Sequence, residues 1–193
     1  MKQAGQCWYD TLSCTLADLG FQKTHTNLGV FSTHSGGTLL ILAMHVDDCI
    51  ITGNSSTAIA NFKEQIHQCY AITDIGPIHW LLGIKVTRDC DAHILSLSQE
   101  SYANTVLTHH FNMANTNPVK CPMAPGAIFS SDQCPTDAQE IVHMCKILYC
   151  EAIGSLMYLA VATHLDLTFA ITTLSQFLNN LGVSHWEGIK RIL

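Results

Sequence analysis

The sequence predicts an α+β fold, with short strands gathered in the first half and helices filling the second. Three observations carry this. Apolar residues recur at helical spacing near the start and again beyond Thr136. Between them lie short apolar runs bounded by glycine and aspartate, the pattern of hairpins. The stretch from Asn115 to Pro135 holds most of the prolines and reads as a linker between the two regions.

In chain order, Trp8, Leu12, Leu16 and Leu19 form the stripe of a first helix, and Gly20 sits where a left-handed cap closes it. Val30 to Thr33 and Thr38 to Met44 read as strands joined by a tight turn at Gly36-Gly37. His45-Val46-Asp47-Asp48 then leads into Cys49-Ile50-Ile51-Thr52-Gly53, a hairpin with the aspartates at its tip. Ser55 or Ser56 caps a helix whose apolar face is Ile59, Phe62, Ile66 and Cys69. Trp80 to Thr87 reads as one strand and Ile94 to Leu97 as its partner, with a turn from Asp89 to Ala92. Ser98 is expected to cap a helix carrying Ala103, Val106, Leu107 and Phe111. Further on, Thr136 with Gln139, Thr163 with Asp166 and Ser184 with Glu187 each have the spacing of a capping box. Ile153, Leu156, Met157 and Leu159 fill one later helix, and Phe169, Leu174, Phe177 and Leu178 another.

Composition narrows the function classes. Of 193 residues, 48% are hydrophobic and only 12% charged, which suits a packed core and not a disordered tail. Nine basic residues face fifteen acidic ones, for a net charge of −6. Proteins that grip a polynucleotide neutralise phosphates with lysine and arginine, so this balance argues against autonomous nucleic-acid binding. The nine cysteines include no C-x-x-C pair, which argues against a zinc ribbon or redox motif. The start of the chain lacks the apolar run of an export signal, so an intracellular protein with reduced thiols is expected. The longest apolar run, Leu39 to Met44, is too short to cross a bilayer, and no membrane partner is expected.

The acidic tip has two readings. Aspartate is a common turn former, because its carboxylate accepts from nearby amides. Alternatively, two carboxylates held side by side at the end of an apolar ladder repel each other, and a cation relieves that repulsion. Magnesium suits such a site, since it takes oxygen ligands and commonly combines one or two carboxylates with substrate phosphates.

The residues around the tip resemble a known family. His45-Val46-Asp47-Asp48 is similar to the Tyr-Val-Asp-Asp hairpin of copia-type retrotransposon reverse transcriptases. Met1-Lys2-Gln3-Ala4 with Trp8-Tyr9 resembles the segment that precedes that hairpin. Asp74-Ile75-Gly76, Leu81-Leu82-Gly83-Ile84, Leu97-Ser98-Gln99-Glu100-Ser101-Tyr102, Glu151 to Leu159, Leu174 to Asn179 and His185-Trp186 follow in the family's order.

The resemblance implies a partial right-hand polymerase. Residues 1–97 would be part of the palm, 98–114 the start of the thumb, 115–135 a linker, and 136–193 a helical thumb or connection region leading toward ribonuclease H. It makes Asp47 and Asp48 catalytic magnesium ligands and places Gln3 in the nucleotide pocket. His45, Val46, Trp80 and Gly83 would contact an RNA or DNA primer–template. The residues taken alone allow plainer roles: Gln3 solvated, His45 an ordinary strand residue, Trp80 and Leu82 in the core, His109-His110 a charge partner at a helix C-terminus.

The chain also departs from the family pattern. His45 stands in place of tyrosine, Gly5-Gln6 of Pro-Arg, Cys150 of arginine and His164-Leu165 of Arg-Pro. Polymerases of this type use a further aspartate from a strand well before the hairpin, yet Asp10 and Asp18, the aspartates that precede Asp47, both fall in the first helix. The expectation is an internal, catalytically incomplete piece of a Pol polyprotein, inactive and poorly soluble alone; one alternative is a polymerase subunit completed by another chain. Another is a retained binding module for nucleic acid or protein.

Overall fold

The computed structural model describes residues 2–193, with side-chain surroundings from Ala4 onward. The chain forms two compact units, one ending at Ile78 and the other beginning at His79.

The first unit opens with α1 (Lys2–Asp18). Its stripe buries Leu12 and Leu16, and the helix ends where Gly20 turns left-handed at φ 83°. There the amide of Phe21 reaches back to the Leu16 carbonyl at 2.9 Å. Four strands follow, β1 (Gln22–Lys23), β2 (Val30–Ser35), β3 (Thr38–His45) and β4 (Asp48–Gly53), paired antiparallel in sequence order. Gly36 and Gly37 both have positive φ, 56° and 83°, which a two-residue hairpin turn between Ser35 and Thr38 requires. Ser55 caps α2 (Ser56–Cys69), its hydroxyl accepting from the Ala58 amide.

Alternation along the strands puts Phe31, Leu40 and Leu42 on one face. There they meet Leu12 and Leu16 of α1 and Phe62 and Ile66 of α2. Fully burying a leucine such as Leu16 stabilises the fold by about 1.5–3 kcal/mol. The α2 stripe is one position shorter than the sequence suggests, because Cys69 is exposed and Tyr70 packs on the core instead.

The second unit begins with β5 (Trp80–Leu81), β6 (Ile84–Asp89) and β7 (Ile94–Ser98), an antiparallel three-stranded sheet. The single strand expected from Trp80 to Thr87 is thus two strands. Leu82 and Gly83, at φ 49° and 79°, turn the chain back on itself. As a result Trp80 is 55% and Leu82 45% exposed, so neither is core. The Asp89 carboxylate accepts from the amides of Asp91 and Ala92 and shapes the next turn.

α3 (Glu100–Thr105) is short and widens into a π-helical turn over Val106–His110. α4 (Ala138–Met144), α5 (Tyr149–Ala162), α6 (Thr168–Ser175) and α7 (Val183–Ile192) complete the unit. Tyr149, Ile153, Leu156, Ile171, Leu174 and Ile189 form its core, and the Tyr149 hydroxyl donates to the Leu174 carbonyl at 2.8 Å. Phe129 and a short turn at Ser131–Gln133 lie within the proline-rich stretch, and Phe129 packs on this core.

The three expected capping boxes all start elsewhere. Asp137, one residue after Thr136, caps α4 with its carboxylate on the amides of Gln139 and Glu140. Thr163 ends α5 and turns its hydroxyl to Gln99. Ser184 lies inside α7, whose cap is Gly182. Met157, Phe169 and Leu178, expected in helix cores, face outward. No single helix among the described residues is long and apolar enough to cross a membrane.

Candidate functional site

The acidic tip is the shortest connection a hairpin allows. His45 pairs with Asp48 across the ladder and Met44 with Cys49, which leaves Val46 and Asp47 as the turn itself. Asp48 is the first residue of β4. Asp47, Asp48 and His45 are exposed, and Val46 is 64% exposed. The tip therefore projects from a ladder whose inner part, Leu40 and Leu42, is buried.

Val46 has φ 54°. A left-handed conformation costs an L-residue roughly 1–2 kcal/mol, and a β-branched residue suits it poorly. Support comes from α1. The Trp8 indole N–H donates to the Val46 carbonyl at 3.0 Å. Next to it, the Tyr9 hydroxyl donates to the Leu28 carbonyl at 2.8 Å, and Lys23 lies over the Tyr9 ring. That loop in turn holds β3, through the Met44 amide donating to the Gly29 carbonyl at 2.8 Å. Gly29 is needed there, since a Cβ would stand 2.8 Å from the Met44 carbonyl oxygen.

The carboxylates make themselves felt next door. Partial burial pushes the Cys49 thiol above its ordinary value, and the charges of Asp48 and then Asp47 push it further.

Two adjacent carboxylates are the kind of oxygen donor that magnesium takes, commonly together with substrate phosphates. A pair of ions needs more oxygen donors. Among the described residues, no group of three or more histidine, cysteine, aspartate or glutamate side chains stands close enough to hold a metal. Asp10 instead accepts from Gln6 at 2.9 Å on the surface of α1.

The remaining sequence-predicted residues divide as follows. Gln3 belongs to α1, and its side-chain surroundings lie outside the described residues. Trp80 and Gly83 belong to the second unit, in β5 and in the turn that follows it. That turn is also held by a helix: the Tyr158 hydroxyl of α5 donates to the Leu82 carbonyl. His110, at the end of the π-helical turn, is hydrogen-bonded through Nδ1 to Oε1 of Glu151 at 2.8 Å.

Residues 1–125 match the family model described as reverse transcriptase (RNA-dependent DNA polymerase). The chain belongs to the reverse transcriptase family. Over its full length this reverse transcriptase segment is 37% identical to the retrovirus-related Pol polyprotein from transposon TNT 1-94 of Nicotiana tabacum. It is 33% identical, again over its full length, to that from transposon RE1 of Arabidopsis thaliana. It spans only 14% and 12% of those polyproteins. A shorter relative, the putative transposon Ty5-1 protein YCL074W of Saccharomyces cerevisiae, is 22% identical, and the segment spans 60% of it. No solved structure matches the segment.

Sequence reasoning missed the two aromatic donors. Trp8 reads as one more apolar position in a helical stripe. The signal available was chemical: an indole N–H at the edge of a core requires an acceptor.

Proposed function

We propose that the chain is the hairpin-bearing part of a copia-type retrotransposon RNA-directed DNA polymerase. In this reading Asp47 and Asp48 hold magnesium against the phosphates of an incoming nucleotide. The observation that carries it is an aspartate pair at a two-residue hairpin turn, Asp47 within the turn and Asp48 opening β4, at the end of an apolar ladder, in a chain of this family. When bound, magnesium supplies charge neutralisation at the attacking and leaving oxygens of nucleotidyl transfer. The chain's own part is to present the carboxylates clear of the sheet, with His45 and Val46 beside them for the primer end.

These 193 residues do not extend a primer unaided in this reading, because two carboxylates fall short of a two-ion site. A net charge of −6 also leaves little to hold a primer–template. Another stretch of polypeptide supplies the missing carboxylate and the basic surface. The exposed apolar side chains of β7, Ile94, Leu95 and Leu97, favour such a completed assembly over a free-standing module.

The test is primer extension on an RNA template with magnesium. The chain alone should give no product. Joined to the stretch that precedes the matching region in the similar Pol polyproteins, it should extend, and Asp47→Asn should abolish that extension. Extension by the chain alone, lost in Asp47→Asn, overturns the incompleteness. Extension by the joined protein that survives Asp47→Asn overturns the role of the pair.

A further inference from the structure

We propose that Trp8 is a positioning residue for the acidic tip: its indole N–H holds the Val46 carbonyl and so fixes the direction in which Asp47 and Asp48 leave the hairpin. Its consequence for metal binding rests on the magnesium reading above.

Two residues connect β3 and β4, and the first of them, Val46, is a β-branched residue in the left-handed region. Such a residue persists there only when its surroundings over-determine it. The ladder fixes the strands up to the His45–Asp48 pair and leaves the Val46 carbonyl to be satisfied from outside. Trp8 satisfies it at 3.0 Å.

The donor is itself held in place. The Trp8 ring stands edge-on to Tyr70, with centroids 5.2 Å apart and planes at 81°. The Tyr70 hydroxyl is hydrogen-bonded to that of Thr15 at 2.6 Å, and the Tyr70 amide donates to the Ile66 carbonyl. The same helix face that buries Leu12 and Leu16 thus delivers the indole to the tip. A packing role alone would need the ring but not its N–H.

The second unit uses the same device independently. Leu82 is also a non-glycine residue of positive φ in a two-residue hairpin turn, and its carbonyl also accepts from a helix-borne aromatic, Tyr158. Donation from an aromatic side chain to a left-handed turn carbonyl is therefore a recurring solution in this chain.

The experiment compares the full chain with Trp8→Phe, which keeps a ring against Tyr70 and loses the N–H. Leu12→Ala serves as a control that weakens the same core without touching the tip. Two readouts are taken by NMR. One is the backbone scalar coupling and Cα shift of Val46, with residual dipolar couplings of the Asp47 and Asp48 amides. The other is the affinity for manganese(II), a paramagnetic substitute for magnesium, read from broadening of those amides. In Trp8→Phe the Val46 values should leave the left-handed range and manganese should bind about fivefold more weakly, the equivalent of one net hydrogen bond. Leu12→Ala should lower the melting temperature and leave both readouts in place. Replacing Trp8 by 3-benzothienylalanine, which has sulfur in place of N–H, should reproduce Trp8→Phe and serves if phenylalanine does not fold. Unchanged Val46 values and dipolar couplings in the N–H-less variants overturn the proposal. If Asp47→Asn leaves manganese binding unaltered, the magnesium reading fails instead, and the couplings alone decide the role of Trp8.

Discussion

The Thr163 hydroxyl donates to Oε1 of Gln99 at 2.7 Å, across 64 positions of sequence. Gln99 is only 2% exposed, and its amide nitrogen makes a long 3.5 Å contact with the Tyr158 carbonyl. The pair ties the junction of β7 and α3 to the end of α5. Its value lies in satisfaction: a buried amide oxygen without a donor costs about 1–3 kcal/mol. Thr163→Val keeps the shape and removes the donor, so it should lower the urea unfolding free energy by that order. Gln99→Met combined with Thr163→Val should cost less than the sum of the single changes. A strictly additive double-mutant cycle would show that the two side chains do not interact.

His185 should make stability fall in mild acid. Its ring is buried and stacks on Phe177 at 3.8 Å, and its Nδ1 accepts from the Gly182 amide at 2.9 Å. Nδ1 must therefore be unprotonated. Its Nε2 is buried without a hydrogen-bond partner. Burial holds the pKa below the ordinary 6.5, an effect that the nearby Ser130 backbone partly offsets. The unfolded chain then takes the proton first. The stabilising contribution is complete above pH 6.5 and is lost progressively as pH falls toward the folded-state value. Urea midpoints from pH 7.5 to pH 5 should decline less in His185→Gln than in the unaltered chain. Equal declines would remove His185 as the cause.

Two glycines should respond oppositely to alanine. At Gly182 a Cβ would run into the Gln133 carbonyl, which is backbone and cannot swing aside. Gly182→Ala should destabilise by about 3 kcal/mol, the upper range for overpacking. At Gly154, inside α5, a Cβ meets nothing within 4 Å. Gly154→Ala should stabilise by about 0.5–1 kcal/mol through helix propensity. Thermal melts of both variants check the signs.

Cys49 offers a chemical gauge of the acidic tip. Its thiol is reachable from solvent, yet burial and the two aspartates hold its pKa up. Alkylation proceeds through the thiolate. Asp48→Asn should therefore speed alkylation of Cys49 by iodoacetamide at pH 8, followed by peptide mapping because the chain has nine cysteines. Asp47→Asn should do so to a smaller extent. No change in either variant would mean that the carboxylates point away from the thiol.

The first unit was legible because local signals agreed with the tertiary outcome. Gly20, the Gly36-Gly37 turn, the Ser55 cap and the Leu12–Leu16 stripe stand where pattern places them. The acidic hairpin was legible for the same reason, its length set by alternation on both sides of the turn. The turn at Leu82-Gly83 was not legible, since leucine gives no sign of a positive φ when the reason for it is a tyrosine in α5. The helix starts slipped because a capping box describes spacing, whereas the cap goes to whichever oxygen reaches the first amides; Asp137 reaches them and Thr136 does not. Thr163 was misread because its hydroxyl serves Gln99, a partner no local window contains.

The two-residue turn between His45 and Asp48 sets how β4 lies in register against β3. Strand side chains alternate, so if the turn kept two residues, a single codon gained or lost between Met44 and Cys49 would shift β4 by one position against β3 and move its side chains to the opposite side of the sheet. The same slip would carry the Val46 carbonyl out of reach of the indole. The tip can exchange its letters far more readily than it can change its count.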